Sequence, residues 1–224
     1  MNDIFFEAVV IACGFINGLG FLKFIRKIHR NKSSDGINII FQWLTGTTAL
    51  LLTCANMFVA RIGITTAFFT TWILSLFTIT TVLKYRSPRE ISLNKRHYYC
   101  HALLFLCAIA VFTVQRTTND VGLHDLMTLA VIPLGMLACG TSVLRNVPQI
   151  LTTIRTRETA NLSSSYFLIN TIATSTVLAV EISHPEASIF NILNCSLVIG
   201  TNLIQLFVMS LSNVRERVIT LPVR

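Results

Sequence analysis

Long apolar runs follow one another along the chain, separated by short polar interruptions. About twenty helical residues cross the hydrocarbon of a bilayer. Runs of that order occur seven times, at Ile4 to Ile25, Ile37 to Ala60, Ile62 to Leu83, Tyr98 to Gln115, Leu126 to Ile154, Ser165 to Ser183 and Ser188 to Leu211. Inside hydrocarbon, backbone polar groups must be satisfied within the protein, which leaves helices or closed barrels. Uninterrupted runs of this length select helices, so the pattern predicts an all-α integral membrane protein of seven transmembrane helices.

The pattern also repeats. Laying residues 19–60 over 145–185 pairs Phe24-Ile25-x-x-Ile28-His29 with Ile150-Leu151-x-x-Ile154-Arg155, and Gly36-Ile37-Asn38 with Asn161-Leu162-Ser163. The expected organisation is a first three-helix repeat over 1–84 and a linker helix with its flanking loops over 85–124. A second three-helix repeat follows over 125–212, then a cytoplasmic tail over 213–224. One intervening helix starts both copies on the same side, a parallel 3+1+3 arrangement. Repeats related by an axis along the membrane normal are a transporter architecture, with the solute site between the halves near the midplane.

Composition agrees with a bilayer as solvent: 53% of residues are hydrophobic and 12% charged. The net charge of +8 would raise nucleic acid as a partner in a soluble protein. Here fifteen of the Lys and Arg residues fall in the loops after the first, third and fifth helices and in the tail. Arg61 and Arg116 lie on the opposite side, and Arg145 lies near the membrane. This is the asymmetry that orients membrane helices. It predicts an outside or lumenal N-terminus, a cytoplasmic C-terminus and no nucleic-acid partner. Met1-Asn2-Asp3 carries no basic run and no cleavage pattern follows, so the first apolar run reads as a retained helix. Cys13, Cys54, Cys100, Cys107, Cys139 and Cys195 fall within apolar spans or at their edges and read as small packing residues.

Against this background the segment Val147-Pro148-Gln149-Ile150-x-x-Thr153-Ile154-Arg155-Thr156-Arg157-Glu158-Thr159-Ala160-Asn161-Leu162-Ser163 resembles the signature of PQ-loop transporters. It is similar in particular to the bacterial SemiSWEET half-transporters and the eukaryotic SWEET sugar facilitators. The resemblance implies seven helices and alternating access, with Pro148 and Gln149 as a gating hinge. A proline inside a helix removes a hydrogen bond and clashes with the carbonyl four residues back, which kinks the helix. The first repeat has Leu22 and Lys23 at the matching positions, so the hinge is present once. The resemblance also implies an aromatic residue on the second helix of each repeat, where the alignment places Leu52 and Val177. Aliphatic side chains stack on sugar rings less well than aromatic ones.

Polar side chains in apolar spans are costly unless they face the interior, where they serve a solute path or bind helices together. The last helix carries Asn191, Asn194, Asn202 and Gln205, the three asparagines within about one helical face. Asn194 best matches the family's pocket asparagine, and Asn170, Asn191 and Asn202 are further substrate-binding candidates. Asn17 on the first helix and Asn146 before the proline are weaker substrate-binding candidates. In the first unit the aligned stretch holds Thr66, Phe69 and Thr70, and Trp72 would supply a displaced aromatic surface. Arg145 would either snorkel to the interface or bind a carboxylate.

No Asp or Glu lies near a span centre, which favours facilitated diffusion over proton coupling. His97, Cys100 and His101 share about one helical turn but lack a fourth metal ligand. There is no activated nucleophile, phosphate loop or carboxylate pair. The chain is therefore not expected to be an enzyme or to need a cofactor or metal. The function expected is transport of a small polar solute by alternating access, as a facilitator of sugars first by resemblance, and as a carrier of amino acids or other zwitterions and organic acids, with or without proton coupling, second. A receptor or scaffold on the same fold is the reading from another class. Self-association into a homo-oligomer is left open.

Overall fold

The computed structural model describes residues 3–59, 61–86, 88–118, 121–185 and 187–219. Its described residues form eight helices: α1 (Asp3–Asn31), α2 (Ile39–Phe58), α3 (Ile62–Lys84), α4 (Pro88–Thr118), α5 (Val121–Arg145), α6 (Val147–Thr156), α7 (Ser164–Ile182) and α8 (Ile189–Ile219). With α5 and α6 taken as one run, seven are long and apolar enough to cross a membrane. The expected ends of the second helix at Ala60 and of the tail at residues 220–224 lie outside the described residues.

The distribution of side chains is the inverse of a soluble protein's. Ile4, Leu103, Leu129, Met136 and Phe207 are exposed, while asparagines, glutamines and threonines fill the interior. Large apolar residues on the outside and polar ones within satisfy both a hydrocarbon surround and the hydrogen bonds of the polar groups. The chain is an integral, multi-pass membrane protein.

Three expected boundaries move. The first and last apolar helices continue past Ile25 and Leu211, and α4 begins well before Tyr98. Polar and charged residues there are compatible with helix and carry it beyond the apolar run. The larger difference is in the fifth span, expected as one kinked helix from Leu126 to Ile154. It is interrupted at Asn146, whose backbone stays in the right-handed helical region, and Pro148 lies in the first turn after the interruption, within one run from His124 to Thr156. Without an N–H, Pro148 cannot donate to the carbonyl of Leu144, and the regular ladder resumes with the Ile150 N–H on the Asn146 carbonyl at 2.9 Å. A second proline, Pro133, sits inside α5.

Helix ends match between the two aligned stretches. Asn38 and Ser163 both cap the following helix, bonding the backbone N–H of Ile40 at 2.9 Å and of Tyr166 at 3.2 Å. Lys32 and Arg157, just past α1 and α6, both adopt positive φ, 51° and 58°.

Packing gathers the helices around α3 and α8. Helix α3 lies against α1 and α2, and α8 lies against α7, α5 and α6. Contacts of α1 with α7 and of α2 with α5 join the two groups, and α4 leans on α2 and α3. The close approach of α1 to α3 depends on Gly14, where a Cβ would stand 2.9 Å from the Ala67 Cα.

Gly36, between α1 and α2, has φ +75°, and a Cβ there would collide with the Glu158 carbonyl oxygen. Backbone strain and steric collision act together, so Gly36→Ala is expected to cost about 1–3 kcal/mol. A fall in the midpoint of thermal unfolding, followed by tryptophan fluorescence in detergent, checks this.

Candidate functional site: a cavity between two helix groups

A cavity of about 70 Å³ lies between the two groups. Its walls come from α1 (Val10, Cys13, Gly14, Asn17), α2 (Thr45, Thr48, Ala49) and α3 (Ile64, Ala67, Phe68, Thr71) on one side. Arg145 closes α5, while Asn170, Ala173, Thr174 and Val177 come from α7 and Asn194, Cys195 and Val198 from α8. The lining is therefore polar and apolar by turns, with Phe68 its single aromatic ring.

A relay of side-chain amides runs beside the cavity. Asn146 donates to Asn202 Oδ1 at 3.4 Å, and Asn202 donates to Asn170 Oδ1 at 2.6 Å. Asn170 then donates to Asn17 Oδ1 at 2.7 Å, and Asn17 to Thr71 Oγ1 at 3.1 Å. Each amide passes a hydrogen bond to the next, so carboxamides buried in an apolar span are satisfied by one another. The link between Asn170 and Asn17 joins α7 to α1. Asn194 is held differently, accepting from the Ser142 hydroxyl.

On the side of the N-terminus the groups are tied by charge. Arg61, from the turn before α3, forms a two-pronged pair with Glu181 of α7, at 2.5 and 3.0 Å. Glu181 is 0% exposed and also accepts from the Ser188 N–H at 2.8 Å and from Asn191 Nδ2 at 3.3 Å. Asn191 and Asn56 exchange hydrogen bonds at 2.9 and 3.2 Å, which ties α8 to α2. Beneath this network Phe6, Val10 and Ile64 pack as an apolar layer.

The opposite, Lys- and Arg-rich side is tied by the Pro-Gln segment. Gln149 donates to the Gly36 carbonyl at 2.8 Å and accepts from the Asn38 N–H at 2.8 Å, so its one amide satisfies two backbone groups of the α1–α2 loop. Asn38 also donates to Thr152 at 3.0 Å. Asn161 accepts from Asn31 at 2.8 Å and donates to the Asp35 carbonyl at 3.0 Å. Between these loops and the cavity lies an aromatic layer of Phe21, Phe24, Phe41, Tyr166 and Phe167.

The residues singled out in the sequence therefore separate. Asn170 and Asn194 line the cavity. Asn202 and Asn146 belong to the relay behind it, and Asn191 belongs to the Glu181 network. Asn191, Asn194 and Asn202 are all buried. Thr70 does not line the cavity and bonds the Thr66 carbonyl. The inward register of α3 is Ile64, Ala67, Phe68 and Thr71, because Ala67 must face Gly14 where α1 crosses closely. Trp72 is also away from the cavity, packed on Phe69 and Phe105 with its N–H donated to His101 Nδ1 at 3.2 Å. Cys100 is exposed, and among the described residues no three His, Cys, Asp or Glu side chains are grouped to hold a metal.

Of the two positions expected to carry a pocket aromatic, Val177 lines the cavity and Leu52 packs with Leu51 and Ala138. Thr45, Thr48 and Thr71 line the cavity without having stood out in the sequence, because hydroxyls are frequent on every face of these helices.

Two helix groups thus enclose a shared, partly polar cavity in a bundle with seven helices long and apolar enough to span a membrane. Residues 133–179, from α5 through α7, match the family described as PQ loop repeat. The fold superposes on a eukaryotic SWEET transporter with a TM-score of 0.53 at 12% sequence identity, covering 93% of this chain and 99% of that one. No curated protein matches the sequence. The chain carries a PQ-loop repeat within a SWEET-like fold.

Proposed function

We propose that this chain is a membrane transporter, not an enzyme, which exposes the cavity alternately to the two sides and so passes a small polar solute. The observation that carries the reading is the position of the cavity between two independent closures. One is the Arg61, Glu181, Asn191 and Asn56 network, and the other is the set of loop contacts made by Gln149 and Asn161 over the aromatic layer. Each closure joins the same two helix groups at opposite ends. Loosening one while keeping the other is the geometry alternating access requires.

In this reading α1–α3 and α5–α8 are the two parallel repeats, with α4 as the linker. Asn194 and Asn170 contact the solute. The break at Asn146, with Pro148 and Gln149 after it, lets α6 swing as the hinge on the Lys- and Arg-rich side, which faces the cytoplasm. At about 70 Å³ the cavity is far smaller than the roughly 300–1,000 Å³ of open small-molecule sites. This supports a conformation in which the two helix groups are drawn together around it. Absence of a carboxylate from the lining supports uniport over proton coupling. With Phe68 as the only ring in the lining, sugar stacking has little to work with.

The test is counterflow of sugars, amino acids and organic acids in proteoliposomes. Saturable exchange that needs the protein, and that Asn194→Ala slows by about tenfold through loss of a polar contact, is the expected result. Folded protein that exchanges no solute of the panel would leave a receptor or scaffold in place of a transporter.

A further inference from the structure

Arg145 is the one ionised side chain of the cavity wall, and it is 5% exposed. It makes no ion pair among the described residues, and its Nε is buried without a hydrogen-bond partner. A buried charge of this kind is expensive unless it is paired. The carbonyls ending α5 supply only about half a unit of opposing charge. Snorkelling would place the guanidinium in water, which its burial contradicts.

From these observations we infer that the cavity takes a small monoanion, with its carboxylate held by Arg145 and Asn194; the inference rests on the transport reading and deepens it to a solute class. Among the side-chain amides of the lining, the capacity left over is that of a donor, beside threonine hydroxyls that can act either way. Asn17 and Asn170 each spend donor and acceptor within the relay. Asn194 uses its oxygen on Ser142, which leaves its amide hydrogens to donate into the cavity. A guanidinium and a free amide N–H group match a carboxylate, whose two oxygens accept in parallel from an arginine fork. No Asp or Glu lines the cavity to receive an ammonium group, so a monoanion fits better than a zwitterion or a cation. The volume of about 70 Å³ suits a molecule of a few heavy atoms.

Thermal unfolding of the full chain in detergent, titrated with sodium L-lactate at constant ionic strength, tests this, with lactamide as the uncharged counterpart. Lactate should raise the Tm saturably in the wild type and in Arg145→Lys, and lactamide should not. Arg145→Gln should weaken lactate on the order of thirtyfold or more. If Arg145→Gln does not fold, the contrast of lactate with lactamide in the wild type and in Arg145→Lys decides the matter. Equal shifts by the two solutes, no shift by lactate, or a lactate shift that survives Arg145→Gln would overturn the inference. Shifts and counterflow with glucose or glycine but not lactate would overturn it and leave transport standing. Saturable lactate binding without counterflow of any solute would uphold the anion site and sink transport.

Discussion

Glu181→Gln is expected to lower the stability of the folded chain by about 3 kcal/mol, because it leaves the Arg61 guanidinium buried without its counter-charge. Arg61 is 11% exposed at the side chain and Glu181 0%, so water can repair little of the loss. The damage spreads beyond the pair. The glutamate also receives the Ser188 N–H and the Asn191 amide, and a neutral carboxamide cannot satisfy all three partners in their present directions. The Arg61→Gln variant should lose less, since the Glu181 carboxylate keeps two other donors. The double variant should fall short of the sum of the single losses. Thermal unfolding of the four proteins in one detergent gives these differences. Additive losses would mean that the pair is not energetically coupled. In proteoliposomes, weakening this closure should shift the conformational equilibrium toward opening on the side of the N-terminus.

Asn170→Leu is expected to cost about 2–4 kcal/mol, from two severed amide links in a buried setting. The asparagine stands in the middle of the relay, so its loss strands the Asn202 amide hydrogens on one side and the Asn17 oxygen on the other. Leucine has a similar bulk and blocks water from replacing the lost partner. Asn170→Ala, which leaves room for water beside the cavity, should be milder. Counterflow by both variants separates a structural role from solute contact. A purely structural role predicts that Asn170→Ala keeps its exchange rate once stability is matched by temperature.

What the sequence made readable was the part of the architecture that depends on local pattern. Apolar runs fix the spans because the requirement on the backbone inside lipid acts on each helix alone. The Asn38 and Ser163 caps were not read from the sequence, which set the second span to begin at Ile37, before its cap. The interruption at Asn146 was less readable than the spans. A proline predicts a disturbance, but whether the helix bends or restarts depends on neighbours such as Thr201, which takes the Asn146 amide at 2.5 Å.

Partners were the least readable. Arg61 and Glu181 lie far apart in the chain, at the edges of different spans, where an isolated charge looks like an interfacial residue. The inward face of α3 was missed by one position, since Gly14 and Ala67 contribute to the site through the space they do not fill. Among the asparagines, type alone marked the interior, but it could not distinguish those that spend both ends of the amide on neighbours from Asn194, which keeps one end open.

The relay gives the bundle something like an axle. Its bond between Asn170 and Asn17 spans the seam of the two groups at the level of the cavity, with one closure above it and the other below. If the groups rock about that level, the seam bond turns but need not part. Each half-swing then breaks one set of end contacts while the other set stays intact. On the transport reading, opening then breaks a charged set of contacts at one face of the membrane and a neutral set at the other.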